Sequence, residues 1–419
     1  MKRWLSLILL MGCESPTYHQ DIAPLLSQHC GGCHVDGGIA PFALTNIEDV
    51  RQWGPAIKAS VEAKTMPPWP PGDNSVPMLH ERKLSQAEIS RIASWVDDDM
   101  PLGDASSAAP LLAPELVALQ HVDVTVDTGV DYVPDTSLSD DYRCFLVDLG
   151  MTDTRIATGI SVKPGNGKTV HHVIVTLVAP GDVEKLRAHD AQSERAGWQC
   201  FGGPIPSGVN ARPSQRLGGW VPGTTAIRYA EGTGVTVASG SFAIVQMHYN
   251  LLGGSDPDRT QLQIELAPAG TQLVENITAP LPKLNLTIPV ETKNHVEAKV
   301  QPVSDWTFGL FFPDGDGFIM GVVGHMHLLG TAISVSVNGK PVLDIPRWDF
   351  HWQGQYQLRD PIRIKATDKV ELKCTYDNTQ ARRDSVGFVA PMAEVSWGEG
   401  TQDEMCLAYL QVIDNLPTK

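Results

Sequence analysis

The spacing of apolar residues changes partway along the chain. From residue 14 to about 104, apolar positions recur at helical intervals in short stretches broken by Gly and Pro. The clearest stretch opens at Leu84-Ser85-Gln86-Ala87-Glu88-Ile89, where Ser85 is placed to cap a helix and Glu88 completes a capping box. Ile89, Ile92 and Trp95 or Val96 then line one face. From about residue 115 the period becomes two. Runs such as His172-Val173-Ile174-Val175-Thr176-Leu177, Phe242-Ala243-Ile244-Val245-Gln246-Met247 and Ala332-Ile333-Ser334-Val335-Ser336-Val337 read as strands. Pro164-Gly165-Asn166-Gly167 and Asn338-Gly339 read as turns. Many short strands with few long helices predict sandwiches or jelly rolls. Roughly 300 residues is generous for one sandwich, so two are expected, meeting between 270 and 285. The predicted fold is a small all-α domain at 14–104, an Ala/Ser/Pro-rich linker at 105–116, and two all-β jelly-roll-like sandwiches at 117–275 and 276–419.

Composition narrows the setting. With 419 residues and 42% hydrophobic positions, the chain is expected to fold as several domains rather than remain disordered. The formal net charge is -16 and no basic run occurs, which argues against nucleic acid as a partner. Lys2 and Arg3 precede an apolar run, Trp4 to Met11, far shorter than the ~20 residues that span a bilayer. The run ends Leu10-Met11-Gly12-Cys13, which resembles a bacterial lipoprotein signal. Residues 1–13 are therefore expected to be a signal peptide with Cys13 acylated, giving a periplasmic or cell-envelope protein that meets the membrane only through its lipid. An ordinary signal peptide with an incidental cysteine is the alternative.

Cys30-Gly31-Gly32-Cys33-His34 carries the C-x-x-C-H pattern of c-type haem attachment. Two thiols at this spacing add across the haem vinyl groups, and His34 becomes an axial iron ligand. A redox dithiol would sit in a βαβ setting, and a zinc site would need a second cysteine pair nearby. Met66, in the Pro-stiffened Lys64-Thr65-Met66-Pro67-Pro68-Trp69, is the expected sixth ligand; Met78, His80 and Met100 are rivals. The segment from Ile22-Ala23-Pro24 to the Trp95 helix resembles small class I cytochrome c domains. Four cysteines remain, Cys144, Cys200, Cys374 and Cys406, an even number that points to two disulfides in an oxidising compartment.

The β-rich region holds four further places of interest: Val170-His171-His172-Val173, Met247-His248-Tyr249, Gly324-His325-Met326-His327 and Glu404-Met405-Cys406. On a strand, His325 and His327 share a face and can chelate one ion. His171 and His172 face opposite ways on a regular strand, and can share an ion only at a strand end, at a bulge or with differently rotated rings. Taken singly, each motif is more often structural than metal-binding.

In this order, His-His, His-Tyr, His-x-His and Glu-Met-Cys resemble the copper type II, ascorbate-dependent monooxygenases, the family of peptidylglycine α-hydroxylating monooxygenase and dopamine β-monooxygenase. The resemblance spans about 300 residues and implies two copper ions on two sandwiches across an open cleft. His171, His172 and His248 would hold the electron-transfer copper. His325, His327 and Met405 would hold the catalytic copper, where O2 is reduced and a C–H bond attacked, a thioether favouring Cu(I). The resemblance also implies a Cys374–Cys406 disulfide, which leaves Cys144 with Cys200. Electrons would come from ascorbate or, in this chain, from the attached haem, fed by a periplasmic donor.

The resemblance says less about substrate. The peptidylglycine branch has an Arg two residues before its His-x-His, where this chain has Val323. Its Asn after the Met ligand is Leu407 here, while Tyr409 keeps the aromatic and is a candidate substrate contact. A carboxylate-ended peptide is thus disfavoured, and an unidentified apolar or small neutral organic substrate is expected beside O2. The alternative function is a non-catalytic copper and haem electron carrier or copper store. His19, His29, His80, His121, His189, His295 and His351 are read as ordinary surface or core histidines.

Overall fold

The computed structural model describes residues 15–36, 40–114, 116–138, 140–200, 203–251, 254–306, 316–398 and 400–417. The signal segment and Cys13 lie outside the described residues. Among the described residues no helix is long and apolar enough to cross a membrane. The chain is mostly β, and its contacts divide it into Met1–Trp69 with Arg82–Glu115, and Pro70–Glu81 with Leu116–Lys419.

The first unit holds helices Ala23–His29, Ile47–Glu62 and Gln86–Asp97. Ile22, Leu26, Val50, Val61, Ile89, Ile92 and Trp95 form its core. The capping box expected at Ser85 is present: Ser85 N donates to Glu88 Oε2 at 2.7 Å, and Glu88 N donates to Ser85 Oγ at 3.3 Å. The stretch expected to be a linker is fastened to this unit. Ala109 N donates to His19 O at 2.9 Å, and Ser27 Oγ donates to Leu112 O at 2.8 Å.

The helical region is not continuous along the sequence. Pro70–Glu81 belongs to the β unit, where Gly72 N donates to Asp344 O at 2.8 Å and Leu79 N to Gln357 O at 2.9 Å. Met78, 1% exposed, bridges to Leu358. A segment containing Pro70, Pro71 and Pro77 cannot sustain a helix, so its remaining backbone groups find partners along strand edges.

In the β unit, Asp140–Asp148, Val170–Val178, Phe242–Asn250, Pro213–Trp220 and Trp198–Gln199 make a five-stranded sheet. It packs on a six-stranded sheet containing Arg155–Lys163 and Gln261–Leu266. Val173, Val175 and Val245 of the first meet Ile160, Val162 and Leu262 of the second in one core. Strand partners change between Val274–Glu275, which pairs with this half, and Ile277–Pro282, which pairs with Leu407–Ile413. The second half has two four-stranded sheets. One runs Ile277–Pro282, Leu407–Ile413, Asp316–His325, Gln355–Lys365; the other runs Lys293–Pro302, Lys369–Asp377, Gly330–Val337, Lys340–Ile345. The predicted Asn338-Gly339 turn joins the last two strands, with φ of 50° and 75°, the left-handed pair that a tight hairpin requires. Both disulfides form as expected, Cys144–Cys200 and Cys374–Cys406, each with Cα atoms 5.8 Å apart.

Candidate metal centres

The antiparallel pairing of Val170–Val178 with Phe242–Asn250 slips between Val170 and His172. His171 is the extra residue of this bulge. That frees it from strict alternation and lets neighbouring imidazoles turn toward one point. His172 lies directly across from His248. The three Nδ1 atoms form a triangle: His171 to His248 3.2 Å, His171 to His172 3.3 Å and His248 to His172 3.3 Å. An Nδ1–H has no lone pair left on that atom, so no assignment of ring protons makes all three edges hydrogen bonds. One ion at the centre satisfies all three, at about 1.9 Å from each corner against ~2.0 Å for an imidazole–metal bond.

His248 is fully buried and stacks on Tyr142 at 4.2 Å. Its Nε2 lies 2.8 Å from Asp140 Oδ1. The carboxylate draws the ring proton to Nε2 and leaves the Nδ1 lone pair free for an ion. Burial pushes His171 down to about 3 and His172 well below its ordinary range, with the neighbouring histidines adding to both shifts. Both rings are therefore neutral donors at neutral pH. His171 Nε2 is buried without a hydrogen-bond partner.

His325 ends strand Asp316–His325, and His327 lies two residues beyond. Their ring centroids are 5.1 Å apart. His325 Nδ1 is 2.5 Å from Gln353 Oε1, and His327 Nδ1 is 3.1 Å from the Asp403 carbonyl. Both Nδ1–H groups thus donate, leaving the Nε2 lone pairs, so this pair would present opposite nitrogens from the first set. Burial pushes His325 down to about 4 and His327 to about 3. His325 pairs with Leu407, and continuing that antiparallel register sets His327 opposite Met405. Met405 is 4% exposed, its carbonyl accepts from Tyr376 Oη at 2.8 Å, and the Cys374–Cys406 bridge follows it. Buried Glu404 accepts from His327 N at 2.9 Å, Leu329 N at 2.6 Å and Met405 N at 3.2 Å, tying the histidine and methionine segments together.

One loop of the second half touches both sets. Trp348 Nε1 donates to His327 O at 3.0 Å, Gln353 orients His325, and Phe350 stacks on His171 at 4.8 Å while lying 6.0 Å from His327. The open cleft implied by the resemblance is therefore closed at this point by an aromatic ring. His351, read from sequence as incidental, lies 6.2 Å from His171 and hydrogen-bonds Asp349 at 3.1 Å.

In the helical unit, Cys30 to His34 form a tight turn, with His34 N donating to Cys30 O at 2.9 Å. Gly31 is required there, since a Cβ would lie 2.6 Å from Ser27 O. Both cysteines are unbridged and half-buried, and burial pushes Cys30 up to about 12. His34 Nδ1 is 3.0 Å from Phe42 O, which leaves the Nε2 lone pair free. Of the rival sixth ligands, Met78 and His80 belong to the β unit. Met100 packs against Gly54, where a Cβ would lie 2.5 Å from its sulfur. Met66 is half-buried beyond the helix Ile47–Glu62, its N–H directed at Ser60 O at 3.4 Å.

The four neutral histidines make acid stability a test of the site. Each folded value lies below the ordinary 6.5, so unfolding takes up protons at acid pH. Their contribution is complete above about pH 6.5 and is lost as pH falls toward the folded values. The melting temperature of metal-free protein should drop steadily from neutrality to about pH 5, and a flat profile in differential scanning calorimetry would contradict these shifts.

Sandwich halves that each carry an imidazole set make the β unit a candidate to bind metal ions. Residues 310–419 match the family model described as copper type II ascorbate-dependent monooxygenase, C-terminal domain. This stretch, which includes His325, His327 and Met405, is a copper type II monooxygenase-like domain. No curated protein matches the chain significantly. Similar solved structures include the major capsid protein P2 from bacteriophage PM2, at 9% identity, covering 69% of this chain and 96% of that one, with TM-score 0.25. PNGase F, a glycosylasparaginase from Flavobacterium meningosepticum, is 9% identical over 70% and 97%, with TM-score 0.29. Likeness at such scores carries no inference about this chain.

Proposed function

We propose that the protein is an exported, copper-dependent monooxygenase that hydroxylates a C–H bond of a small organic substrate with O2. The observation that carries this reading is the triangle of Nδ1 atoms at 3.2–3.3 Å, in a chain whose residues 310–419 match the copper monooxygenase C-terminal domain. His171, His172 and His248 would hold one copper, and His325, His327 and Met405 the other. Bound copper supplies one-electron redox change and oxygen activation. The chain's own residues keep the imidazoles neutral by burial, fix their tautomers through Asp140, Gln353 and the Asp403 carbonyl, and present the thioether between Glu404 and the Cys374–Cys406 bridge.

In the same reading Cys30, Cys33, His34 and Met66 of the helical unit would hold a covalent haem c, which would supply electrons from a periplasmic donor; ascorbate is the other reductant. Cys13 would carry the lipid.

The test is copper-loaded, haem-bearing protein incubated aerobically with a metabolite mixture and a reductant. Oxygen uptake matched by a product heavier by one oxygen atom is expected, with turnover lost in Met405→Ile. Tight copper binding without any hydroxylated product would instead identify an electron carrier or copper store. Haem that stays reduced when mixed anaerobically with Cu(II)-loaded protein would remove the proposed electron route.

A further inference from the structure

An arginine from the first β half stands beside the second metal set. Strand Pro213–Trp220 pairs with Val170–Val178, and a register shift sets Arg216 opposite Thr176. Thr176 lies four residues from His172, so Arg216 shares the sheet face that carries His172. Its guanidinium lies 4.6 Å from the ring centroid of Tyr409, which belongs to the second half. Tyr409 pairs directly with Val323, and His325 is two residues further along that strand. Cross-strand partners point the same way, so Tyr409, Val323 and His325 share one face, and all three are half-buried.

Among the described residues Arg216 makes no hydrogen bond or ion pair, and its guanidinium lies over the Tyr409 ring. Its half-exposed guanidinium presents N–H donors in a planar fork, the geometry that suits a carboxylate.

Resting on the copper monooxygenase reading, we infer that Arg216 and Tyr409 form the anchor for an anionic group of the substrate, a carboxylate foremost. This changes the expectation drawn from Val323. The charge missing from the strand of His325 is supplied across the interface by the other β half. The substrate is then a small organic acid whose reactive C–H is set apart from its anionic end. Charge pairing with Arg216 and an apolar wall at Val323 would then orient that carbon toward the His325 side.

Benzoate and its neutral isostere benzamide probe the anchor directly, by calorimetry on the full-length protein with and without copper. Wild type should bind benzoate at least ~10-fold more tightly than benzamide, and Arg216→Gln should remove that difference. Arg216→Lys should restore part of it, and the preference should weaken with salt. Equal affinities for the two probes, no saturable benzoate binding below about 10 mM, or an unchanged preference in Arg216→Gln would each overturn the anchor. Copper stoichiometry is read separately on the same samples. Benzoate selectivity without copper binding would sink the monooxygenase reading and leave the anion site standing.

Discussion

Replacing His248 with Ala should lower copper binding by one ion per chain and remove the all-imidazole Cu(II) signal from the electron paramagnetic resonance spectrum. The ring occupies one corner of the Nδ1 triangle, at 3.2 Å from His171 and 3.3 Å from His172, and no other described His, Cys, Asp or Glu joins that group. Two imidazoles alone would be a far weaker chelate. The ring is also fully buried, so its loss leaves a hole beside Tyr142. A melting curve of the metal-free variant therefore has to accompany the copper count. Asp140→Asn gives the finer test. Its amide oxygen can still accept from His248 Nε2, but the charge that draws the proton there is gone, so copper should bind ~10–100-fold more weakly with the fold intact. Unchanged stoichiometry in a folded His248→Ala protein would show that the triangle is not a metal site.

The second large effect is expected at Glu404. Its carboxyl is buried, and burial pushes it up to about 8 although the surrounding backbone N–H groups pull the other way. Those N–H groups belong to His327, Leu329 and Met405, the segments that supply two proposed ligands. Glu404→Ala strands these donors in a dry interior. At ~1–3 kcal/mol for each unsatisfied group, the β unit should lose ~3 kcal/mol or more. The metal-free melting temperature should fall by several degrees. In copper-loaded samples the His325/His327/Met405 ion should be lost while the three-histidine signal persists. Equal weakening of both ions would mean that Glu404 acts on overall stability alone. A variant as stable as wild type would show that water replaces the carboxylate.

Some of this was readable from local chemistry. Ser85 and Glu88 specify a capping box because both partners lie within one turn, and the box forms as expected. The alternation in 170–178, 242–250 and 330–337 marks strands half covered by a core. Neighbouring His171 and His172 could converge only at a strand end, at a bulge or with differently rotated rings, and His171 is the bulged residue. Where the reading missed, the cause was distance along the chain. Pro70–Glu81 looked like part of the helical region because nothing local reveals that its backbone bonds to Asp344 and Gln357. Phe350, Gln353 and His351 lie in an aromatic-rich stretch that resembles an ordinary core, and Asp140 looks like a surface acid.

The sequence by itself thus determined the element types, the candidate imidazole and thioether donors, and the cysteine supply of two disulfides. Each of these depends on residue identity and short-range periodicity. Tertiary structure alone decided that Asp140 and Gln353 fix the ring tautomers, that Phe350 closes over His171, and that Arg216 faces Tyr409 across two β halves. These pairings join residues from 28 to nearly two hundred positions apart, through sheet register and the packing of one sandwich on another. Register and packing are properties of the whole fold, so no local pattern announces which distant side chains will meet.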